Sequence, residues 1–500
     1  MGIMKKVTIF LLLIVIGLTQ TDVEEMMKKI EQATQKEMEE TQKKVDQYIS
    51  AQDSAFAAFL EQEWELFNTD PGKEVLEKPK PKDIPIAKPE PEIELSKEKV
   101  KDIPIPEKEK EEEIRTEPQP APEPKPIQEE KKPEEKQPYE QTLKMDFYGT
   151  PLEINYSKEF KTNLESPFDN KNISASWKHL AATKYEDFLK QLQNYQSRLN
   201  MNSWGYYKLV EQVGKKINNG SQSDATVFTW FFLTKSGYKV RVAYNDNNVY
   251  ILMPSSSMLY STSYLTIDGD KYFLINRERN KKDKIYSYRR DYPEADKVLD
   301  LKLAMEPDLT SQTRQKKLKF DYLGQSHTIE VEYKPAVIDF LTDYPQTDYD
   351  IYFSAPMNND GRVALVKSLA PLLEGKSTTE AVNLLLRFVQ TSFQYKTDDL
   401  NFGREKPLFP DETLFYPFSD CEDRSILFAY LTRELLGLDV IGIKYPGHVA
   451  TAINIKGPVK GDYLSYNGEN YIICDPTYIN ANAGQSMPEY KNVKPEIVFQ

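Results

Sequence analysis

The globular part of this chain repeats itself, so its fold must be one that two unequal copies can both adopt. Leu143-Lys144-Met145-Asp146-Phe147-Tyr148-Gly149 returns as Leu318-Lys319-Phe320-Asp321-Tyr322-Leu323-Gly324, and a strand-like stretch follows each, ending at Tyr156 and Tyr333. Ser223-Asp224-Ala225 opens a helical segment that ends near Gly237, and Ser419-Asp420-Cys421 opens one that ends near Gly437. Residues 265–276 align with 464–475 without a gap. The separation between copies grows from 175 to 196 to 199 residues along the chain, a drift that insertions produce in a duplicated domain. Two copies of one fold are expected, over residues 140–300 and 316–500.

The later copy is the more legible. Ser377-Thr378-Thr379-Glu380 has the spacing of a capping box, and Ala381, Leu384, Leu385, Phe388 and Val389 then form a helical stripe. A second helix is predicted from Cys421 with Gly437 as its cap. Strands follow around 440–444, 449–455 and 471–474, and Asn467-Gly468 is a two-residue hairpin signal that Asp268-Gly269 matches in the first copy. Helices followed by an antiparallel sheet describe an α+β domain.

Upstream the composition changes character. Lys5-Lys6 and the apolar run from Val7 to Leu18 predict an export signal over residues 1–20. The run is short for a span, which needs roughly 20 apolar residues, though an uncleaved N-terminal anchor is the alternative. Met26, Ile30, Val45, Ile49, Phe56, Leu60, Trp64 and Phe67 predict an amphipathic helix or coiled coil over residues 21–70, stopped by Pro71-Gly72. Residues 71–139 are rich in Pro, Lys and Glu, with Asp-Ile-Pro-Ile at 83–86 and again at 102–105. Such a segment buries too little apolar surface to fold by itself. It is expected to be a disordered spacer, extending at roughly 3.1 Å per residue to a stalk on the order of 200 Å.

The net charge is −13, and no basic patch with interleaved aromatics appears, which argues against nucleic acid as a partner class. The chain has three histidines and two cysteines. Cys421 begins a predicted helix, where the dipole and free N–H groups favour a thiolate and bind an oxyanion, so its pKa is expected to fall. His448 follows after 27 residues at the start of a strand, and Asp475 after another 27 near the end of a neighbouring one. That order supplies nucleophile, base and orienting acid. Strand alternation turns Cys474 away from Asp475 and into the core, which disfavours a Cys421–Cys474 bridge. Zinc lacks a fourth ligand, and no cofactor or metal is expected.

Asp420-Cys421-Glu422-Asp423, Gly447-His448 and Asp475-Pro476-Thr477 resemble the three motifs of the transglutaminase-like superfamily, a branch of the papain-like cysteine folds. The resemblance spans roughly residues 377 to 480 and implies catalytic roles for Cys421, His448 and Asp475. Ser419 stands where the family often has Gly, and Val449 follows the His where an aromatic is common. Ala225, Asn248 and Asn276 take the corresponding places in the first copy, which is therefore expected to be inactive. Its aromatics, among them Trp177, Trp204, Tyr206, Tyr207, Trp230 and Phe231, are either core or the lining of a substrate groove.

These readings predict an exported, stalk-borne cysteine hydrolase or acyltransferase, at the cell surface or in the periplasm. Its substrate would be a protein or peptide, including peptidoglycan peptide, with peptidase-like hydrolysis favoured over cross-linking. A non-catalytic binding or adhesion module is the alternative, and the 21–70 helix is a candidate membrane tether or coiled-coil partner. Gln390, Gln394 and Tyr416 are candidates for the second oxyanion donor.

Overall fold

The computed structural model describes residues 20–73, 83–88, 93, 94, 96, 98–101, 103–106, 139–277, 282–455 and 460–500. Residues 1–19 of the predicted export signal and residues 107–138 of the spacer lie outside the described residues. Among the described residues no helix is long and apolar enough to cross a membrane.

The chain is mixed α and β, and the same order of parts occurs twice. Each half begins with a hairpin, Gln141–Phe147 with Thr150–Tyr156 and then Arg314–Tyr322 with Gln325–Tyr333. Tyr148-Gly149 and Leu323-Gly324 close them with positive φ at both central residues, as two-residue turns matched to strand twist require. Helices follow, four in the first half and a longer series in the second, and both series end in the helix that precedes the sheet: Gln222–Lys235 and Cys421–Leu436.

The two sheets share one strand order. In the first half it runs 264–267, 270–274, 249–254, 241–244, 284–287; in the second, 463–466, 469–474, 448–454, 440–445, 496–499. All neighbouring strands pair antiparallel. Asn245 N–H donates to Asn248 O, and Tyr445 pairs with His448, so each central hairpin turns in two residues. The predicted punctuation is present: Glu380 and Ser377 cap each other reciprocally, and Gly437 ends its helix in the left-handed region.

One apolar cluster runs through both halves. Where they meet, the Tyr148 ring lies edge-on to Phe340, and Asp348 accepts from Met258 N–H and Tyr260 Oη, each at 2.9 Å. The aromatics left open above resolve to core: Trp177, Trp230, Tyr206 and Phe231 are fully buried, and Tyr207 and Trp204 nearly so.

Two expectations are corrected. The N-terminal helix ends at Leu60 rather than near Phe67, and Glu65–Asn68 is a strand on the outer edge of the first sheet, paired with Lys284–Ser287. An open sheet edge far along the chain, Lys284–Ser287, decided this, and helical spacing carries no trace of it. The end of that helix belongs to the first half: Phe56 packs edge-on to Trp177, Ser174 Oγ donates to Ala57 O, and Asp53 accepts from buried Lys235. Nor is the spacer free along its whole length. Ala87 N–H donates to Ile479 O, and Ile479 N–H to Pro85 O, while Val100 exchanges backbone hydrogen bonds with Gly375 and Lys376. Ile103 is buried and donates to Glu374. Both Asp-Ile-Pro-Ile segments thus contribute residues that rest on the second half.

Phe56→Ala is expected to destabilise the chain by about 3–5 kcal/mol in denaturant unfolding, the usual cost of truncating a fully buried Phe. A loss under about 1 kcal/mol would mean that the helix is not part of the core.

Candidate functional site

Cys421 is the first residue of a helix whose start lies among carboxylates. Asp423 reaches back so that Oδ2 accepts from Asp420 N–H at 3.2 Å, while its Oδ1 accepts from Leu408 N–H at 2.8 Å. Ser419, at the position where glycine is frequent in the resembling family, is used structurally: its Oγ accepts from Arg424 Nε at 3.0 Å. Arg424 is buried and gives its other donors to Gln390 O and Phe393 O.

The helix packs directly on the strand that His448 begins. Ser425 Oγ donates to Val449 O at 3.0 Å, and Val449 N–H donates to the Cys421 sulfur. His448 stands where it does because Pro446-Gly447 turns the chain in two residues, with Gly447 at φ +74°.

His448 Nε2 and Asp475 Oδ2 are 2.8 Å apart and buried. Asp475 is held by its own turn, Oδ1 accepting from Thr477 and Tyr478 N–H. With Nε2 engaged, Nδ1 is the imidazole nitrogen that has no hydrogen-bond partner. The structure thus brings the ring and the acid together and sets the sulfur beside the residue following His448. It does not join sulfur and ring by a hydrogen bond; Cys421 Sγ donates instead to Glu422 Oε2 at 2.9 Å.

The electrostatics reverse one expectation. A helix N-terminus lowers a thiol pKa, yet here burial, and next the Asp420 carboxylate, push the Cys421 thiol well up. Both cysteines are free thiols, and burial raises Cys474 too, which sits in the apolar cluster as predicted.

Five carboxylates crowd this helix start. Oxygens of Asp398, Glu405 and Glu422 lie within 4.8 Å of one another, as do those of Asp398, Asp420 and Asp423. Burial first, and then the neighbouring charge of Asp423, raise Asp398 to about 9. Burial raises Asp423 to about 7 and pushes Asp420 and Glu422 well above the carboxylate range. The motif shows three of these residues; Asp398 and Glu405 carry no sequence signal, since only the fold brings their loop to Cys421.

The three residues expected to include the second oxyanion donor have these surroundings. Gln390 is buried and donates to Asp475 O and Ala481 O, so it braces the acid's turn. Gln394 is exposed, and the Tyr416 hydroxyl bonds Thr342. Three rings not singled out by sequence surround the sulfur closely enough to feel its charge: Tyr349, Tyr395 and Tyr490. Tyr490 stacks on His448 at 5.1 Å between ring centroids, in place of an aromatic following the His. With this cover Cys421 is only 1% exposed and His448 2%.

The first half has the same framework without these groups. Asn276 Oδ1 accepts from Ile251 N–H at 2.8 Å, and its Nδ2 donates to Thr226 Oγ1, the hydroxyl next to Ala225. A side-chain amide thus ties strand to helix where the second half has an acid.

Tyr490→Ala is expected to speed iodoacetamide labelling of Cys421 several-fold while leaving Cys474 unlabelled. Unchanged Cys421 labelling would show that the ring is not what covers the thiol. Compared with family models, curated proteins and solved structures, the chain matches none.

Proposed function

We propose that this chain is an exported cysteine-dependent amide hydrolase or acyltransferase of transglutaminase-like type, acting on protein or cell-wall peptide. In this reading both halves are transglutaminase-like domains, the first inactive. The observation that carries it is the 2.8 Å His448–Asp475 bond beside a helix that begins at Cys421.

In the reaction, Asp475 fixes the ring so that Nδ1 receives the thiol proton. The thiolate attacks the amide carbon, and the Cys421 N–H group at the helix start stabilises the oxyanion. Collapse breaks the C–N bond, and His448 returns the proton to the leaving amine. Water then attacks the thioester, giving a carboxylic acid and restoring the thiol; an amine in place of water gives transamidation. Hydrolysis is favoured because water competes freely outside a cell. Entry of substrate requires the Tyr490 ring to move and Cys421 to leave Glu422.

A second reading, a non-catalytic binding module, is favoured by the burial of Cys421 and by its bond to Glu422. The two separate cleanly. Cys421→Ala is expected to lower cleavage of amide bonds in cell-envelope protein or peptidoglycan peptide by roughly 10³-fold or more. Cleavage that survives this substitution, or that the wild type never shows, favours the binding module.

A further inference from the structure

The two halves differ in what covers their opening hairpins. In each half the first hairpin strand packs on a helix, Ser203–Ile217 in the first and Thr378–Thr391 in the second. That helix packs in turn on the helix that precedes the sheet. The space between hairpin turn and helix is therefore one place in the fold, present twice.

In the first half a helix of the second half fills it. Pro335–Thr342 brings Phe340 against the turn, where the Tyr148 ring lies edge-on to it at 5.5 Å between centroids. Phe340 also reaches the helix side, since a Cβ on Gly205 would meet its ring at 3.4 Å. Three residues further on, Asp343 accepts from Tyr148 Oη at 2.7 Å and pairs with Lys208 of the Ser203–Ile217 helix at 3.4 Å. That spacing puts ring and carboxylate on one helix face. The occupant offers an apolar ring and an acid; the place offers a turn side chain and a cation.

In the second half the same place is a cavity of about 880 Å³, whose lining includes Lys319, Leu323, His327, Arg387 and Asn480. Leu323 stands where Tyr148 stands in the first copy. At 74% it is the most exposed large apolar side chain among the described residues. A lone exposed Leu is ordinary, but one at a position that packs in the other copy is not. Beside it His327 stacks on Phe320 at 5.0 Å, which adds ring surface. The cations are present too, Arg387 from the helix and Lys319 from the strand, and Lys319 has no ion pair among the described residues. Asp321 is the acid of the lining, and it accepts from Ser326 Oγ. Cations outnumber acids here in a chain whose net charge is −13.

We propose that this groove docks a helical segment of a partner protein that presents an aromatic or aliphatic side chain and, three residues further on, a carboxylate. Helices in grooves are held by anchors at such spacings, and charge complementarity fixes their register. The apolar anchor covers Leu323 and the Phe320–His327 rings, and the carboxylate pairs with Lys319 and Arg387. Free phosphate would use the cations and leave Leu323 in water. A second copy of this chain cannot offer its own Phe340 and Asp343, which are engaged by Tyr148 and Lys208. The docking site stands whether or not Cys421 acts on an amide.

The test uses the full chain and a fluorescein-labelled peptide with the sequence of residues 334–344, which carries the Phe340 and Asp343 pair, followed by fluorescence anisotropy. The chain's own copy of this segment holds the first-half place, so saturable binding is expected at the second. The peptide with Asp343→Ala or Phe340→Ala should bind at least about fivefold more weakly. Lys319→Glu combined with Leu323→Ser in the protein should weaken binding at least about tenfold. Both side chains are exposed, so the double variant should melt near the wild-type temperature, which shows that it folds. Absence of binding to the wild type, or equal affinity of the folded double variant, overturns the proposal. Equal affinity for the Asp343→Ala peptide overturns the role given to the carboxylate. Self-association of the chain that the double variant abolishes would assign the groove to a second copy and overturn the choice of occupant.

Discussion

The seam between the Cys421–Leu436 helix and the His448–Asn454 strand fixes the rest of the second half. Ser425 Oγ donating to Val449 O, and Val449 N–H donating to the Cys421 sulfur, set the helix start against the strand start. Ile426, Leu427 and Leu431 of the same helix are buried among apolar side chains, so the polar end cannot slide without disturbing the core. The imidazole is then placed by the tight Pro446-Gly447 turn, and the acid by the strand paired alongside, where Thr451 lies opposite Cys474. Asp475, one residue beyond that pair, meets His448 three residues before it. The pairing is a consequence of register.

The first half makes the same seam and fills it differently. Its helix, Gln222–Lys235, precedes a sheet of the same strand order, and Asn276 bridges helix and strand through neutral hydrogen bonds. A duplicated framework thus carries an amide tie in one copy and an imidazole, an acid and a crowd of carboxylates in the other. The difference in chemistry lies in a few side chains on a shared scaffold, and the buried aromatics of the first half serve packing.

Burial governs the site more strongly than the helix dipole. The dipole acts over a single turn and is worth of order 1 kcal/mol, while removing a charge from water in a fully buried site shifts titration by several units. Burial, and next the Asp420 carboxylate, push the thiol up rather than down, although the bond to Glu422 acts the other way. A local rule read from sequence gave the wrong direction because it could not count the neighbours that folding would add.

Much was legible without coordinates wherever the cause is local. The Ser377–Glu380 capping box, the Gly437 helix end and the Asn467-Gly468 turn are each set by the residues that form them, and each is found. The α+β order and its repetition were legible for the same reason, as was the burial of Cys474. Tertiary structure alone decided what depends on distant partners. Glu65–Asn68 became a strand because a sheet edge was available, and parts of the Pro-rich segment docked on 375–379 and 479. Asp398 and Glu405 joined the motif acids, and Tyr490 came to rest on His448. Turns and caps are short-range hydrogen bonds that a few residues specify, whereas edge pairing, ring stacking and charge crowding exist only once chain segments far apart in sequence share one low-dielectric interior.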